Sequence, residues 1–191
     1  MLEARHLQGP HFRAVDLRVD TGQILCIHGP SGAGKSQLLR ALADLDPHEG
    51  DICLHGQAQA DFSPADWRRR VGLLPAEPPW WADSVAEHFR HPGDCFGLSD
   101  LGFSEQVMEW PVGRLSSGER QRLGLLRLLD AGPEVLLLDE PTANLDAANT
   151  RRMEALIRQY LDDRQAGAVW LSHDPAQWER IADQRLEMGG E

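Results

Sequence analysis

The sequence predicts an α/β fold: a mainly parallel sheet flanked by helices, with an antiparallel β portion at the N-terminus and a short inserted helical subdomain. Three observations carry that expectation. Apolar runs such as Ile24-Leu25-Cys26-Ile27, Val135-Leu136-Leu137-Leu138 and Ala168-Val169-Trp170-Leu171 have the unbroken hydrophobicity of strands buried on both faces. Segments with helical spacing separate them, at 35–45, 118–130 and 146–164. The earliest segments instead alternate apolar and polar side chains, as half-buried strands do.

In order along the chain, residues 2–7 and 15–19 are those half-buried strands, joined through Gly9-Pro10. Residues 24–27 form a buried strand. The helix from 35, built on Leu38-Leu39 and Ala41-Leu42, runs to about 45 and ends near Asp46-Pro47. Asp51-Ile52-Cys53-Leu54, bracketed by Gly50 and Gly56, is a short strand. A short helix over 64–70 leads into a strand over 71–74. Pro75, Pro78, Pro79, Pro92, Gly93, Gly97 and Gly102 then break up the chain as far as 113. That stretch is expected to be mostly helical in short elements, with helices at 84–90 and 104–110. Leu123, Leu125, Leu126, Leu128 and Leu129 restore helical spacing. A central parallel strand ends in Asp139, an amphipathic helix covers 146–164, and a buried strand covers 168–171. A helix at 176–181 and a weak strand at 185–188 close the chain. We expect one domain over 1–191, with a core of 1–75 and 131–191 and an insertion at about 76–130.

Composition narrows the function. The 191 residues suffice for one compact core, and a net charge of −11 argues against a general nucleic-acid binder. Cys26, Cys53 and Cys95 are odd in number and lack C-x-x-C spacing, so neither a disulfide framework nor a zinc site is expected. A reducing compartment is the natural reading. The segment Met1-Leu2-Glu3-Ala4-Arg5-His6 lacks an apolar leader core, and no stretch approaches a membrane span. We therefore expect a cytoplasmic protein, for which any connection to a membrane must come through a partner.

Gly29-Pro30-Ser31-Gly32-Ala33-Gly34-Lys35-Ser36 fits G-x-x-x-x-G-K-[ST] between a strand and a helix. Its glycines let the backbone wrap a phosphate chain, with amides and the helix dipole favouring an anion. Lys35 is suited to β- and γ-phosphates and Ser36 to Mg²⁺. This loop alone leaves kinases, GTPases and transport ATPases open. Four further segments narrow it. Asp139, ending a strand expected beside the phosphate strand, can hold Mg²⁺, and Glu140 can polarise a water. Leu115-Ser116-Ser117-Gly118-Glu119-Arg120-Gln121 has a capping-box helix start that also suits a second anion site. Pro141-Thr142-Ala143-Asn144-Leu145-Asp146 is a turn whose Asp146 can cap the next helix. His173 sits at a strand's C-terminal edge, where open α/β sheets bind ligands, and suits a γ-phosphate contact.

These five segments, in this order, resemble the nucleotide-binding subunits of ATP-binding-cassette (ABC) transporters. The resemblance covers nearly the whole chain, and within the family the chain is similar to short bacterial subunits of the iron-export type. It implies a P-loop NTPase fold. It implies that Gly29, Pro30, Ser31, Gly32, Ala33, Gly34, Lys35, Ser36 and Gln37 form the Walker A loop on ATP. It assigns Asp139 with Ser36 to Mg²⁺, Glu140 to the catalytic base and His173 to the switch. Ser116, Ser117, Gly118 and Glu119 become the signature loop reaching a partner's ATP, and Asp146 belongs to the dimer interface. Phe12 is favoured, over His6 and His11, for stacking on adenine. The implied activity is ATP hydrolysis by a head-to-tail homodimer, coupled to a membrane subunit docked near Pro78-Pro79-Trp80-Trp81. The protein would then lie on the inner face of the membrane. A soluble non-transport ABC ATPase and a weakly hydrolysing nucleotide sensor are the alternatives. Two departures stand out: Ala76-Glu77 replaces the family's metal-touching glutamine, and Ser117 and Glu119 alter the signature.

Overall fold

The computed structural model describes residues 1–189. Strands β1 (Leu2–Gly9) and β2 (Phe12–Val19) form an antiparallel hairpin about Pro10-His11. β3 (Ile24–His28) leads through the glycine-rich loop into α1 (Lys35–Leu42). β4 (Glu49–Leu54) pairs with the other edge of β1, and β5 (Gln57–Ala58) follows it, giving an antiparallel sheet ordered β2-β1-β4-β5. After α2 (Pro64–Arg70) come β6 (Val71–Leu74), α3 (Ser117–Asp130), β7 (Val135–Asp139) and α4 (Ala147–Arg164). β8 (Gly167–Leu171), α5 (Pro175–Ile181) and β9 (Gln184–Glu187) complete the order. The second sheet is parallel and ordered β6-β7-β8-β3-β9.

The central strands β3, β7 and β8 are almost wholly apolar because each divides its residues between two cores, whereas the edge strand β9 is largely exposed. Ile24, Cys26, Leu136, Leu138, Ala168 and Trp170 join a core with side chains of α3 and α4. Leu25, Ile27, Val135, Leu137, Val169 and Leu171 join a second core with α1 and the antiparallel sheet. Local chemistry sets the helix bounds. The Ser63 hydroxyl accepts the Asp66 amide at 3.1 Å and Pro64 takes the first position, so α2 covers the predicted 64–70. α1 stops before the predicted 45, with Asp44 turned into the left-handed region at φ 58°.

Two expectations are corrected. Residues 84–90 and 104–110 are not α-helices; they hold 3-10 turns at Ala86–His88 and Glu105–Glu109, with another at Val112–Arg114. Pro92 and Pro111 follow the first two turns, and Gly97 and Gly102, at positive φ, bend the chain between them. Buried Val85, Phe89, Leu101, Phe103, Val107 and Met108 hold this irregular stretch to the core in place of helical hydrogen bonding. The strand ending in Asp139 is also not beside β3, because β8 lies between them. α1 runs back over β8 and β7, which restores the proximity that adjacency was expected to supply.

Candidate functional site

The C-terminal ends of β3, β7 and β8 deliver three loops to one edge of the parallel sheet, where such sheets bind ligands. The first loop turns at positions only glycine tolerates. Gly29 has φ 140°, and a β-carbon there would lie 2.1 Å from the Met188 carbonyl oxygen. Gly34 has φ 84°, and a β-carbon there would lie 2.3 Å from the His11 carbonyl oxygen. Lys35 opens α1 with its side chain folded inward, Nζ donating to the carbonyls of Gly29 at 3.0 Å and Pro30 at 2.9 Å. Pro30, Ser31 and Gly32 are exposed, while Ala33, Ser36 and Gln37 are half-buried. Beside this loop lies a cleft of about 780 Å³, bounded by His11, Arg13, Pro30, Ser31, Gly32 and Glu187.

Ser36 Oγ donates to Asp139 Oδ1 at 3.2 Å, so the two hydroxyl and carboxylate oxygens expected to share a cation are brought together. Burial pushes the Asp139 carboxyl up from its ordinary value, against the opposing Ser36 hydrogen bond. Both donors are hard oxygens, which suits Mg²⁺ completed by phosphate and water oxygens. Glu140 follows with φ 47°, a left-handed conformation that costs a non-glycine residue about 1–2 kcal/mol. The turn directs its carboxylate at His173, whose Nε2 lies 3.0 Å from Glu140 Oε1. A smaller cavity of about 290 Å³ opens beside this pair, between Thr142, Leu145, Asp174 and Gln177.

The Ser116–Glu119 segment opens α3 next to the loop that follows β7. Ser116 caps α3, accepting the Glu119 amide at 3.3 Å, while Glu119 Oε2 accepts the Ser116 amide at 2.8 Å and hydroxyl at 2.7 Å. Those bonds hold the Glu119 carboxyl below its ordinary value. Ser116 and Ser117 are exposed. A β-carbon on half-buried Gly118 would lie 3.3 Å from Leu145 Cδ2, so this turn neighbours the Asn144–Asp146 loop. Asp146 caps α4, accepting the Asn149 amide at 2.8 Å, which lowers its carboxyl below the ordinary value. Among the described residues, none of Ser116, Ser117, Gly118 and Glu119 hydrogen-bonds the Gly29–Ser36 loop.

Phe12 does not fit its expected use. It borders the cleft, but its ring is 8% exposed and belongs to the core, packed on Gly9 and Gly34. A ring that stacks on a base must offer a free face; Phe12 cannot, whereas its neighbours His11 and Arg13 are exposed. Ala76 and Glu77 are both exposed. Of the tryptophan pair, Trp80 packs against the core and Trp81 is 70% exposed, with Arg127 stacked against both rings. Sequence reasoning gave no role to Thr142 and Gln177, which line the cavity beside the Glu140–His173 pair, or to His28 and Trp178, whose rings stack on each other at 4.4 Å. Gln177 and Trp178 had only their position, four and five residues past His173, to mark them.

The family model described as ABC transporter matches residues 12–143. STAR1 of Oryza sativa subsp. japonica is 37% identical over 90% of this chain, which spans 53% of that protein. The phosphate import ATP-binding protein PstB of Aeropyrum pernix is 32% identical over 92% of this chain and 79% of its own. The probable iron export ATP-binding protein FetA of Escherichia coli is 30% identical over 84% of this chain and 76% of its own. Among solved structures, an ATP-binding subunit of an ABC transporter superposes with a TM-score of 0.85 at 23% identity, covering 98% of this chain and 85% of that one. A dimeric post-hydrolysis state of the ATP-binding cassette MJ0796, bound to ADP and Pi, superposes with a TM-score of 0.82 at 20% identity, covering 98% and 94%.

Proposed function

The chain belongs to the ABC transporter family, and from that membership we propose that it is an Mg-ATP-binding, ATP-hydrolysing subunit that drives transport as a head-to-tail dimer beneath a separate membrane subunit. One observation carries the reading: Ser36 meets Asp139, and Glu140 meets His173, at the edge where the Gly29–Lys35 loop ends.

The roles follow from the chemistry of each group. Lys35 exchanges two backbone carbonyls for phosphate oxygens, a stronger charge-assisted pairing. The Ser31–Lys35 amides and the start of α1 receive the remaining phosphate charge, and Gln37 donates to an α-phosphate oxygen. Ser36 and Asp139 would hold Mg²⁺, which supplies neutralisation of charge developing on the phosphates. Glu140 accepts a proton from the attacking water, and His173, within hydrogen-bond distance of it, keeps its carboxylate aimed and reaches the γ-phosphate. Ser116, Ser117, Gly118 and Glu119, exposed or half-buried, close over the ATP of a second copy, with Asp146 beside them. His11 and Arg13 flank the space left for the base.

Trp81 is the proposed anchor for the membrane subunit, since an exposed aromatic braced by Arg127 is the kind of residue on which interfaces centre. Through that partner the chain would sit on the cytoplasmic face. Relatives named for phosphate import and for iron export match this chain to similar degrees, so the proposal leaves cargo choice to the partner.

The test is Glu140→Gln. With Mg-ATP bound and hydrolysis blocked, this variant is expected to elute from gel filtration as a dimer, while the wild type returns to monomer. A variant that stays monomeric at saturating Mg-ATP refutes the sandwich mechanism.

A further inference from the structure

Helix α5 bonds the residues on either side of the Glu140–His173 pair, Ser172 before His173 and Thr142 after Glu140. Gln177 is 2% exposed, yet all its polar capacity is used. Its Nε2 donates to Glu154 Oε1 at 2.7 Å and to Thr142 Oγ1 at 3.0 Å, and its Oε1 accepts the Ser172 hydroxyl at 2.7 Å. The orientation of this amide is forced. Glu154, gripped by both Arg180 Nε at 2.8 Å and Nη2 at 2.7 Å, can only accept, so the Gln177 nitrogen must face it and the oxygen must face Ser172. The Ser172 hydroxyl, having donated its proton, is then free to accept the Asp174 amide at 3.1 Å.

The next residue completes the grip. Trp178 Nε1 donates to the Ser172 carbonyl at 2.9 Å, and its ring stacks on His28 at 4.4 Å, the residue that precedes the phosphate loop. The backbone on both sides of His173 is thus tied to α5. Through Thr142 the same amide touches the loop that begins with Glu140.

We propose that Gln177 and Trp178 are positioning residues that hold His173 at Glu140 and tie both to the phosphate loop. The proposal rests on the hydrolytic reading above. A side chain that merely filled the core would not need three oriented partners on three different elements. Because His173 is 45% exposed, its placement depends on its backbone anchors more than on surrounding packing.

Gln177→Leu removes all three bonds at similar volume, and Trp178→Phe keeps a ring on His28 while deleting the indole donor. Tyr160→Phe is the control, losing a buried hydrogen bond to the Pro133 carbonyl away from the site. Steady-state hydrolysis is expected to show kcat lower by about tenfold for Gln177→Leu and about threefold for Trp178→Phe, since small misplacements cost rate steeply. KM for ATP should stay within about twofold and Tyr160→Phe should keep near-wild-type kcat. Hydrogen exchange across 171–175 should be faster in both site variants, a readout independent of turnover. Unchanged exchange, or a kcat loss no larger than that of Tyr160→Phe, overturns the proposal. If Gln177→Leu does not fold, Trp178→Phe decides by the same two criteria. If wild type hydrolyses no faster than Lys35→Ala, the hydrolytic reading fails instead, and exchange alone still judges the clamp.

Discussion

At the scale of single residues, Glu119 secures the turn that the proposed function sets against a partner's triphosphate. Its carboxylate accepts both the amide and the hydroxyl of Ser116, which places negative charge on the turn proposed to meet a partner's triphosphate. The stability it adds has a definite pH dependence. Its carboxyl is held below the ordinary value of 4.5 chiefly by the Ser116 hydroxyl, then by the Ser116 amide. A carboxylate with a depressed folded-state pKa stabilises fully above the unfolded value and loses that contribution as pH falls through the folded one. Glu119→Ala should therefore melt about 2–4 °C below wild type at neutral pH, the size expected for one cap of about 1 kcal/mol in a domain of this length. Followed by circular dichroism, the gap should close progressively below pH 4.5. A gap that stays constant down to pH 3.5 would show that Glu119 acts through packing and not through its charge.

Glu140 makes the complementary point. A glutamate in the left-handed region is a local cost, sustained where the surrounding fold holds its carboxylate 3.0 Å from His173 Nε2. The identity of Glu140 was legible from sequence, but its backbone conformation was not, since nothing local demands it. Phe12 was misjudged for a related reason. An aromatic near the loop suggests stacking, and only the burial of Phe12 in the core, with Gly9 against its ring, shows that it has no free face.

Among the elements, legibility followed the physics of each type. Strands buried on both faces announce themselves as apolar runs, and β7 and β8 lie where those runs do. Helices with caps were equally readable where Ser116 and Asp146 gave local signals. The 76–116 stretch was not, because its order comes from long-range burial of residues such as Phe89 and Leu101 and not from a repeating local pattern. The position of β8 between β3 and β7 was also hidden, since strand order is a tertiary property with no local code. One contact ties the irregular stretch to a regular helix. A β-carbon on Gly124 of α3 would lie 2.7 Å from Pro78 Cγ and 3.3 Å from Leu74 Cδ1. Gly124→Val is thus expected to push α3 off the loop that carries Trp80 and Trp81, costing about 1–3 kcal/mol. Gly113→Ala, with nothing within 4 Å of its new methyl group, should change stability by less than about 0.5 kcal/mol. Equal losses in urea denaturation would show that the α3–Pro78 contact is not what limits this region.

Over the whole molecule, the residues proposed to grip ATP fall into two groups that no hydrogen bond joins among the described residues. The phosphate loop, Asp139, Glu140 and His173 share one sheet edge, while the Ser116–Glu119 turn is presented to solvent beside the Asn144–Asp146 loop. If each ATP is held between the loop of one copy and the turn of another, a heterodimer can rescue two inactive chains. Lys35→Ala disables the loop and leaves the turn intact. Ser117→Trp obstructs the turn, at an exposed position where the larger side chain does not disturb the core, and leaves the loop intact. In a head-to-tail heterodimer of the two, one composite site collects both defects and the other collects none. Random pairing in an equal mixture makes half the dimers mixed, each with one sound site of two, so about a quarter of the wild-type rate should return. Phosphate release measured for each variant alone and for the mixture gives the comparison directly. A mixture no faster than the average of its components would mean that each chain completes its own site, and the shared-pocket reading would be abandoned.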